Sequence, residues 1–518
     1  MARDPSGWWR AGAAAGAGAL PALAFPAPAL WWFAYVALVP WMLLLRSAPT
    51  GRRAALEGWL GGTGFVFAVH HWLLPSLHVF LFLLAALLGV LWIPWALLVR
   101  ELIGGVPAGG RAAAALVLLP AGWLLPELVR SWQGLGGPWG LLGASQWQVP
   151  PALMLASVGG VWLVSLLVVA VNCALAMVVA VPGARAQAVA GLTGCALLTG
   201  TVWLWVPRPE VSGGLRVAVV QPGPVPDGPD STERRFAAGE RLTRQLAGAP
   251  PGRRPDLVVW GESSVGEDLA ARPDLARRLA ALSAQVGAPL LVNVDARRSD
   301  RPGIYKSSVL IGPDGPTGDR YDKMRLVPFG EYIPARALLG WATSVGKAAG
   351  EDRMRGDAPA VMELPGRPGV RLGPLICFES AFPDMSRHLT RDGAALLVTQ
   401  SATSSFQDSW APAQHASLAA LRAAEDGRPV VHATLTGISE VHGPSGERIG
   451  PALPTSASTA ALYEVPLARG TTPYVRFGDW PVGAALAALA AYCAAQAARS
   501  LRRPAPEPSA PPARTVHG

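Results

Sequence analysis

Three polar residues of this sequence combine the types that acyl transfer requires. Glu262 lies in "LVVWGES", Lys323 in "YDKMRLVPFGEYIP" and Cys377 in "PLICFES". A thiolate is a strong nucleophile, a carboxylate can take the thiol proton, and an ammonium stabilises the oxyanion formed when a carbonyl is attacked. Taken singly, each residue also fits an ordinary buried or ion-paired role, and spacing along the chain does not show that the three meet.

The elements around these residues predict how they are positioned. Short apolar, β-rich runs alternate with helical stretches at 231–247, 266–285 and 410–426. Nearly continuous apolar strands are typical of a sheet buried on both faces and covered by helices. The three polar residues stand at strand ends, where open α/β sheets gather their ligands. The predicted strands lie in "LRVAVVQP", "PDLVVWGES", "APLLVNVDA", "SSVLIGPDG", "VRLGPLICFES", "AALLVTQS" and "RPVVHATLTG".

The composition indicates a membrane protein. Of 518 residues, 51% are apolar and 15% are charged, and the mean hydropathy is +0.30. These values are unusual for a soluble globular protein. Apolar stretches near the length that a bilayer core demands predict seven spans before the α/β segment and one after it. The predicted spans lie near 10–27, 30–46, 56–74, 79–99, 112–129, 153–181, 187–206 and 480–498.

Basic residues between the spans predict the orientation in the membrane. Arginines follow the second, fourth, sixth and last spans, whereas the alternate loops "PAPAL" and "LLPSLHV" contain no Lys or Arg. Because cytoplasmic loops carry an excess of Lys and Arg, we expect both termini in the cytoplasm and the α/β segment outside. The net charge of +9 forms no single patch, so no nucleic-acid partner is expected.

These patterns divide the chain into four predicted parts. They are a seven-span membrane domain at 1–207, an extracytoplasmic α/β catalytic domain at 208–479, an eighth membrane helix at 480–500 and a disordered cytoplasmic tail at 501–518. The cysteines show no metal or disulfide spacing, and Cys173, Cys195 and Cys493 lie in apolar segments as packing residues. We expect no cofactor, no metal and a monomeric protein.

Longer motifs resemble a known family. "VVQP", "LVVWGES", "YDKMRLVPFGEYIP" and "LICFES" resemble the nitrilase superfamily, whose members use a Glu–Lys–Cys triad on an αββα sandwich. "LVPFGEYIP", "QHASLAALRAAEDGRPVVHATLTGISEVHGPSG", "PWGLLGASQ" and "TPYVRFGDWP", with seven spans before and one after, look like the apolipoprotein N-acyltransferase family. The resemblance implies an α-helical transmembrane bundle of about eight spans plus an α/β nitrilase-like αββα sandwich.

The resemblance also implies roles for residues at matching positions. Glu262 would be the general base, Lys323 the oxyanion stabiliser and Cys377 the nucleophile. Glu331, in "PFGEYIP", matches a family glutamate that supports the site, and Glu379 matches another family residue. Because strand positions two apart share a face, we expect Glu379 to orient the lysine or a loop near the thiol. Ordinary salt bridging is the alternative for Glu331 and Glu379.

The apolar segment "ARALLGWATSVG" (335–346) follows Glu331. One interpretation is a lipid-facing arm that includes Leu338, Leu339 and Trp341. A helix packed into the core is the other.

The reaction implied by the resemblance has two steps. Cys377 takes an acyl chain from a membrane phospholipid as a thioester, and the α-amine of a diacylglyceryl-cysteine at the N-terminus of an apolipoprotein then accepts it. Both substrates are anchored in the bilayer, so the spans would hold the catalytic domain at a high effective substrate concentration. The implied location is the plasma membrane of a bacterium.

The sequence departs from the family pattern beside the nucleophile. Family members usually read "NDAWFGDS" where residues 402–409 read "ATSSFQDS", Phe378 replaces a tyrosine, and "WGES" replaces "WPE". Two other functions therefore stand beside the acyltransferase: a membrane-tethered nitrilase-like amidase with water as acceptor, and a weakly active paralogue that binds lipoproteins. A transporter is disfavoured because the spans contain few charges.

Overall fold

The computed structural model describes residues 6–226, 228, 230–340 and 350–501, without the side chains at positions 6, 251, 338 and 339. The first part of the chain is helical, with short 3₁₀ turns between some helices. The helices are α1 (Ser6–Ala19), α2 (Val39–Arg46), α3 (Gly51–His70), α4 (Leu74–Leu77), α5 (Phe80–Gly89), α6 (Ile93–Ile103), α7 (Gly109–Arg130), α8 (Pro150–Ala180) and α9 (Arg185–Trp205).

Five of the described helical segments are long and apolar enough to cross a membrane. They are Phe80–Ile103, Gly109–Arg130, Pro150–Ala180, Pro182–Trp205 and Trp480–Leu501. The other three predicted spans correspond to α1 with the turn Leu20–Ala24, to the shorter apolar segment Trp31–Arg46, and to α3. The helical membrane bundle is thus confirmed, and the count of eight spans stays a prediction.

Aromatic side chains form the core of the bundle. The Trp123 ring lies 5.1 Å from Trp95, 5.6 Å from Trp92 and 6.2 Å from Trp41, and all four rings are buried. Trp41 also fits against α3 only because residue 61 is glycine, since a Cβ at Gly61 would lie 2.1 Å from the indole. Offset and edge-to-face aromatic pairs of this kind add packing energy to simple burial.

The second part of the chain forms two six-stranded sheets. The first sheet has the order β12-β1-β2-β3-β4-β5 and the second β11-β10-β9-β8-β7-β6. In each sheet three central strands are parallel and the outer strands are antiparallel. The strands are β1 (Glu210–Gln221), β2 (Leu257–Trp260), β3 (Leu290–Arg297), β4 (Ile304–Gly312), β5 (Gly315–Asp322), β6 (Met362–Glu363), β7 (Arg371–Ile376), β8 (Leu396–Ser401), β9 (Val430–Thr434), β10 (Ser439–His442), β11 (Arg448–Leu453) and β12 (Thr459–Arg469).

Helices cover the outer faces of the two sheets. α10 and α11 pack on the first sheet, and α13 and α14 pack on the second, which gives the predicted αββα layers. All seven predicted strands are present. β5, β6, β10, β11 and β12 were not predicted. β6 and β10 have only two and four residues, and most residues of β5 and β11 are exposed or half-buried. The remaining helices are α10 (Ser231–Leu246), α11 (Pro273–Val286), α12 (Arg336–Leu339), α13 (Pro383–Arg391), α14 (Ala411–Asp426), α15 (Pro473–Phe477) and α16 (Trp480–Leu501).

Polar side chains tie the two sheets together at their carboxyl ends. Gln400 at the end of β8 donates from Nε2 to the carbonyls of Trp260 (2.8 Å) and Leu291 (3.1 Å) in the first sheet. Its Oε1 accepts from the Ser308 hydroxyl at 2.5 Å. A buried amide whose donor and acceptor groups are both paired fixes the register between two otherwise apolar faces. The sheets therefore meet in one defined arrangement at the edge where the candidate residues lie.

Helix α14 of the α/β part also contacts the helical membrane bundle. It packs on α8, which is kinked at Gly159 and Gly160. The break frees the N–H of Val161, and Glu425 in α14 accepts it through Oε1 at 2.7 Å. Arg422 Nη2 lies 2.8 Å from the other oxygen of Glu425. Because an unpaired buried N–H is costly, this hydrogen bond fixes where α14 sits on α8.

The α14–α8 contact predicts that stability falls as the pH rises from about 5 to 8. Burial raises the pKa of Glu425 from 4.5 to about 8, despite Arg422 and with Asp426 and Asp479 adding to the effect. The folded state keeps its proton in this window while the unfolded state loses it, so unfolding becomes easier as the pH rises. Glu425→Gln should reduce the fall in melting temperature between pH 5 and pH 8 by about 2–4 °C, measured by scanning fluorimetry in detergent.

The matched control is Glu464→Gln, which removes an exposed carboxylate on β12. Its pH dependence should follow the wild type. Because the pKa of Asp426 is also raised, to about 7, part of the pH dependence should remain in Glu425→Gln. An identical pH dependence in Glu425→Gln and the wild type would contradict the assignment.

Candidate active site

Strand ends bring the three candidate residues to one edge of the sandwich. Glu262 follows β2, Lys323 follows β5 and Cys377 follows β7. The N–H of Glu262 donates to the carbonyl of Ser401 in the second sheet at 3.1 Å, so the two sheets touch at this candidate residue. A Cβ at Gly261 would lie 2.0 Å from the backbone nitrogen of Leu435, which accounts for glycine in "WGES".

The chain turns sharply at the candidate nucleophile. Cys377 has φ +52° and begins the 3₁₀ turn Cys377–Ala381. We call this segment the nucleophile turn, after the predicted role of Cys377. Positive φ is unfavourable for a residue with a side chain and concentrates at functional sites. The expectation that Cys377 and Glu379 share one face of a strand was wrong, because β7 ends at Ile376 and both residues belong to the turn.

Glu379 nevertheless lies where it can hold the loop that follows Lys323. Its Oε1 accepts from the Tyr321 hydroxyl (2.6 Å) and from the N–H groups of Met324 (2.7 Å) and Arg325 (3.0 Å). Its Oε2 accepts from the N–H of Ile376 at 2.8 Å. One fully buried carboxylate therefore joins the strand before the thiol to the loop after the lysine.

Glu262 and Lys323 belong to a closed cluster of four charges. Lys323 Nζ lies 3.3 Å from Glu262 Oε1 and 2.8 Å from Glu331 Oε1. Lys306 Nζ lies 2.7 Å from Glu262 Oε1 and 3.0 Å from Glu331 Oε1. We call Glu262, Lys306, Lys323 and Glu331 the charge ring, because each ammonium contacts both carboxylates. Glu331 Oε2 also accepts the N–H of Val327 at 2.8 Å.

The charge ring sets the protonation of the site. Burial disfavours the ionised form of Glu262, but Lys306 and Lys323 outweigh it and lower the pKa of this carboxyl. The same balance lowers the pKa of Glu331 to about 2. Burial also disfavours the charged form of Lys323, but Glu262 and Glu331 raise its pKa above the usual value. Both carboxylates and Lys323 are therefore ionised at neutral pH.

The thiol of Cys377 is protonated in this environment. Burial and the negative charge of Glu262 raise its pKa to about 12, against the lowering effect of Lys323 and Lys306. The charges of all four ring residues act on the thiol. A thiol with this pKa needs a base to become a nucleophile at neutral pH, and Glu262, which is ionised, is the predicted candidate for that role.

A buried histidine supports the nucleophile turn from α14. His415 Nε2 lies 3.0 Å from the carbonyl oxygen of Cys377 and 2.9 Å from the Ser380 hydroxyl. Its Nδ1 lies 3.1 Å from the Ser401 hydroxyl. Burial lowers the pKa of His415 to about 4, so the ring is neutral. Because a carbonyl only accepts, Nε2–H is the donor, and Nδ1 accepts from Ser401.

The site lies directly on the loop that joins α7 and α8. Gln133 in this loop donates to the carbonyl of Leu326 at 2.9 Å, next to the loop that Glu379 holds. Gly137 faces the nucleophile turn so closely that a Cβ there would lie 2.7 Å from the ring of Phe378 and 2.8 Å from that of Phe382. The catalytic edge of the α/β domain therefore faces the end of two candidate membrane helices.

The altered segment 402–409 lies between the catalytic domain and the end of α3. Phe406 packs edge-to-face on Trp72, with ring centroids 4.9 Å apart. Gln407 Nε2 donates to the carbonyl of Thr455 at 2.7 Å. The N–H of Thr403 donates to the carbonyl of Thr436 at 2.8 Å. The substituted segment thus has defined contacts on both domains.

The predicted lipid-facing arm at 335–346 is described only in part, as the short helix α12. Trp341 and the side chains of Leu338 and Leu339 lie outside the described residues, so this interpretation stays a prediction. Among the residues that the structure describes, no cluster of His, Cys, Asp and Glu has an arrangement that could hold a metal ion.

Sequence reasoning missed Lys306, His415 and Ser401. A signal for Lys306 exists, because a lysine inside an otherwise apolar strand is rare unless it is paired. His415 and Ser401 carry no comparable signal. Their role depends on how α14 packs against the end of β8, which spacing along the chain does not reveal.

Comparison with known proteins covers both parts of the chain. Residues 17–174 match the family described as apolipoprotein N-acyltransferase N-terminal domain, and residues 216–472 match the carbon-nitrogen hydrolase family. The chain is 34% identical over 466 residues to the apolipoprotein N-acyltransferase of Allorhizobium ampelinum, covering 84% of this chain and 86% of that protein.

Two further relatives carry the same name. The apolipoprotein N-acyltransferase of Geobacter metallireducens is 29% identical over 501 residues, covering 92% of this chain and 93% of that protein. The apolipoprotein N-acyltransferase of Pseudomonas aeruginosa is 30% identical over 495 residues, with 90% and 92% covered.

The contacts of Glu379 generate a test of its positioning role. Glu379→Ala would leave the Tyr321 hydroxyl and three buried N–H groups without their acceptor, at about 1–3 kcal/mol each. We expect a fall in melting temperature of about 5 °C or more and slower alkylation of Cys377, followed by mass spectrometry. Tyr321→Phe removes only one of the four donors and serves as the graded control. Equal stability of Glu379→Ala and the wild type would refute this role.

Proposed function

Because the chain belongs to the apolipoprotein N-acyltransferase family, we propose that it moves an acyl chain from a membrane phospholipid, through a thioester on Cys377, to the α-amine of the diacylglyceryl-cysteine of an apolipoprotein. The resemblance carried by the sequence motifs is confirmed, and with it the assignment as a membrane acyltransferase of lipoproteins. We propose the roles of the individual residues and the order of the two chemical steps.

In the first step Glu262 takes the thiol proton of Cys377, and the sulfur attacks the ester carbonyl of a phospholipid. The resulting oxyanion lies beside Lys323, whose positive charge stabilises it. Collapse of this intermediate breaks the carbon–oxygen bond. The lysophospholipid leaves with the proton that Glu262 held, and the acyl chain remains on Cys377 as a thioester.

In the second step the free α-amine of the diacylglyceryl-cysteine attacks the thioester carbonyl. Glu262 takes a proton from the attacking amine, and Lys323 again faces the oxyanion. Collapse breaks the carbon–sulfur bond, and the proton returns from Glu262 to the Cys377 sulfur. The product is an amide, and the enzyme is restored to its starting state.

Two glutamates position these groups without entering the bond changes. Glu331 holds Lys323 at 2.8 Å and is itself fixed by the N–H of Val327. Glu379 holds the backbone on either side of the site. The ionised state of Glu331 keeps Lys323 charged, so this lysine remains an electrophilic partner rather than a base.

The observation that most supports the acyltransferase function is the contact between the site and the α7–α8 loop. Both the nucleophile turn and the loop after Lys323 touch this loop through Gly137 and Gln133. A thiol at the end of the membrane bundle is within reach of lipid-anchored substrates, whose reacting groups lie at the bilayer surface. A membrane-tethered amidase that acts on a small soluble substrate has no need for a thiol facing the end of the bundle, so this placement favours the acyltransferase.

We infer that this end of the bundle faces away from the cytoplasm. At the opposite end Arg46 donates to the carbonyl of Gly105 (2.9 Å) and Arg100 to that of Ala48 (2.9 Å). The basic loops after the second and fourth predicted spans therefore lie together. Since positive charge accumulates on the cytoplasmic side, the catalytic domain would be extracytoplasmic and the termini cytoplasmic.

The decisive experiment follows the acyl group. Purified protein mixed with phospholipid should show a mass increase of one acyl chain on the Cys377 peptide, and a diacylated lipopeptide should discharge it to its amine. Cys377→Ser should form no thioester, and Glu262→Gln should form it about 100-fold or more slowly. Cys493→Ser, at an exposed cysteine, is the matched control with wild-type behaviour.

Other outcomes identify the alternatives. Discharge to water alone would support the amidase. No adduct with any phospholipid would support a weakly active lipoprotein-binding paralogue. Unchanged N-acylation by Cys377→Ser would disprove the thioester mechanism.

A further inference from the structure

Lys306 places a second ammonium in the site. It lies on β4 directly opposite Lys323, whose N–H donates to the carbonyl of Lys306 at 2.8 Å. Like charges directly opposite on antiparallel strands repel. Here Glu262 and Glu331 lie between them, each within 3.3 Å of both ammonium nitrogens. The four contacts make the two lysines compatible.

The choice of lysine at position 306 is unusual for this chain. Of 44 Lys and Arg residues in the sequence, three are lysines, at 306, 323 and 347. Two of these three lie in the charge ring. Lysine is a compact point charge on a flexible stem, whereas arginine is a wide planar fork. Lysine therefore fits a site in which one side-chain nitrogen must contact two carboxylate oxygens.

The charge of the site depends on this residue. Without Lys306, two ionised carboxylates would face Lys323 alone, and the thiol would have to lose its proton next to a net negative charge. With Lys306 the ring is neutral. The side chain of Lys306 is 14% exposed, so its charge is weakly screened by water.

We propose that Lys306 is a positioning residue of acyl transfer, which holds Glu262 in its ionised form and in place to take the thiol proton. This role rests on the proposed function of Cys377 and Glu262. Lys306 contacts the base at 2.7 Å, closer than Lys323 does. It therefore supplies the larger share of the attraction that keeps Glu262 ionised and leaves Lys323 to face the oxyanion.

Other charged groups lie near the charge ring, and their effects must be separated from the effect of Lys306. On β3 Asp295 lies 3.8 Å from Lys306, and Arg353 lies 3.3 Å from Asp295. On α14 the neutral ring of His415 faces the nucleophile turn. Asp295 and Arg353 oppose each other, so the change on removing Lys306 is the loss of one positive charge beside Glu262.

The test is the pH profile of Cys377 alkylation by iodoacetamide in the full-length, detergent-solubilised protein. Peptide mass spectrometry separates Cys377 from the other cysteines, and Cys377→Ser is the blank. Removing a cation raises the pKa of every neighbouring acid, so both Glu262 and the thiol should hold their protons to higher pH. We expect the acid limb of the profile to move up by about 1–3 pH units in Lys306→Met and Lys306→Gln.

Two control variants separate the effect of the Lys306 charge from the effect of its side-chain shape. Arg297→Met removes an exposed arginine that pairs with Glu351, and its acid limb should stay within about 0.3 pH units of the wild type. Lys306→Arg retains the charge and should keep the acid limb near the wild type, even if the rate falls. Melting temperatures show which variants are folded.

The outcomes are distinct. Folded neutral variants with an unmoved acid limb overturn the proposal, as does an arginine variant that moves as far as the methionine variant. If neither neutral variant folds while Lys306→Arg does, Lys306 serves stability and the proposal also fails. The alkylation assay uses no lipid. A moved limb in a protein that transfers no acyl chain would therefore reject the proposed function, while the action of Lys306 on Glu262 and Cys377 would stand.

Discussion

Buried hydrogen bonds join the two halves of the molecule, and the one from the N–H of Val161 in α8 to Glu425 in α14 fixes how α14 packs. The donor is available because α8 breaks at Gly159 and Gly160. A freed and buried N–H is costly unless it finds an acceptor, so the kink and the Glu425 carboxyl group belong together. The contact fixes α14, and α14 carries His415 beneath the nucleophile turn.

The charge ring solves a problem that any buried acid–base site has. Isolated buried charges would shift their pKa values and become neutral. Alternating two carboxylates with two ammonium groups keeps all four charged, because each ion has two partners of opposite sign. The electrostatic field at the thiol is then set by fixed protein groups instead of mobile water, which is the condition for efficient stabilisation of a developing oxyanion.

The Cys377 thiol is not ionised in the resting site. Its raised pKa keeps Cys377 protonated at neutral pH. A permanent thiolate would be open to oxidation. Under the proposed mechanism, Glu262 removes the thiol proton only during the attack on a substrate carbonyl, and the positive φ of Cys377 places this residue at the turn that follows β7.

The sequence alone determined the layered α/β domain, the helical membrane bundle and the three candidate catalytic residues, because apolar runs and local motifs are properties of neighbouring residues. Only the tertiary structure decided which charges meet. Lys306 is separated from Glu262 by 44 positions along the chain and from Glu331 by 25, and it reaches both because β4 pairs with β3 and β5. The turn at Cys377 was likewise hidden, since β7 and the residues after it form one apolar run. Long-range pairing, not residue type, completed the site.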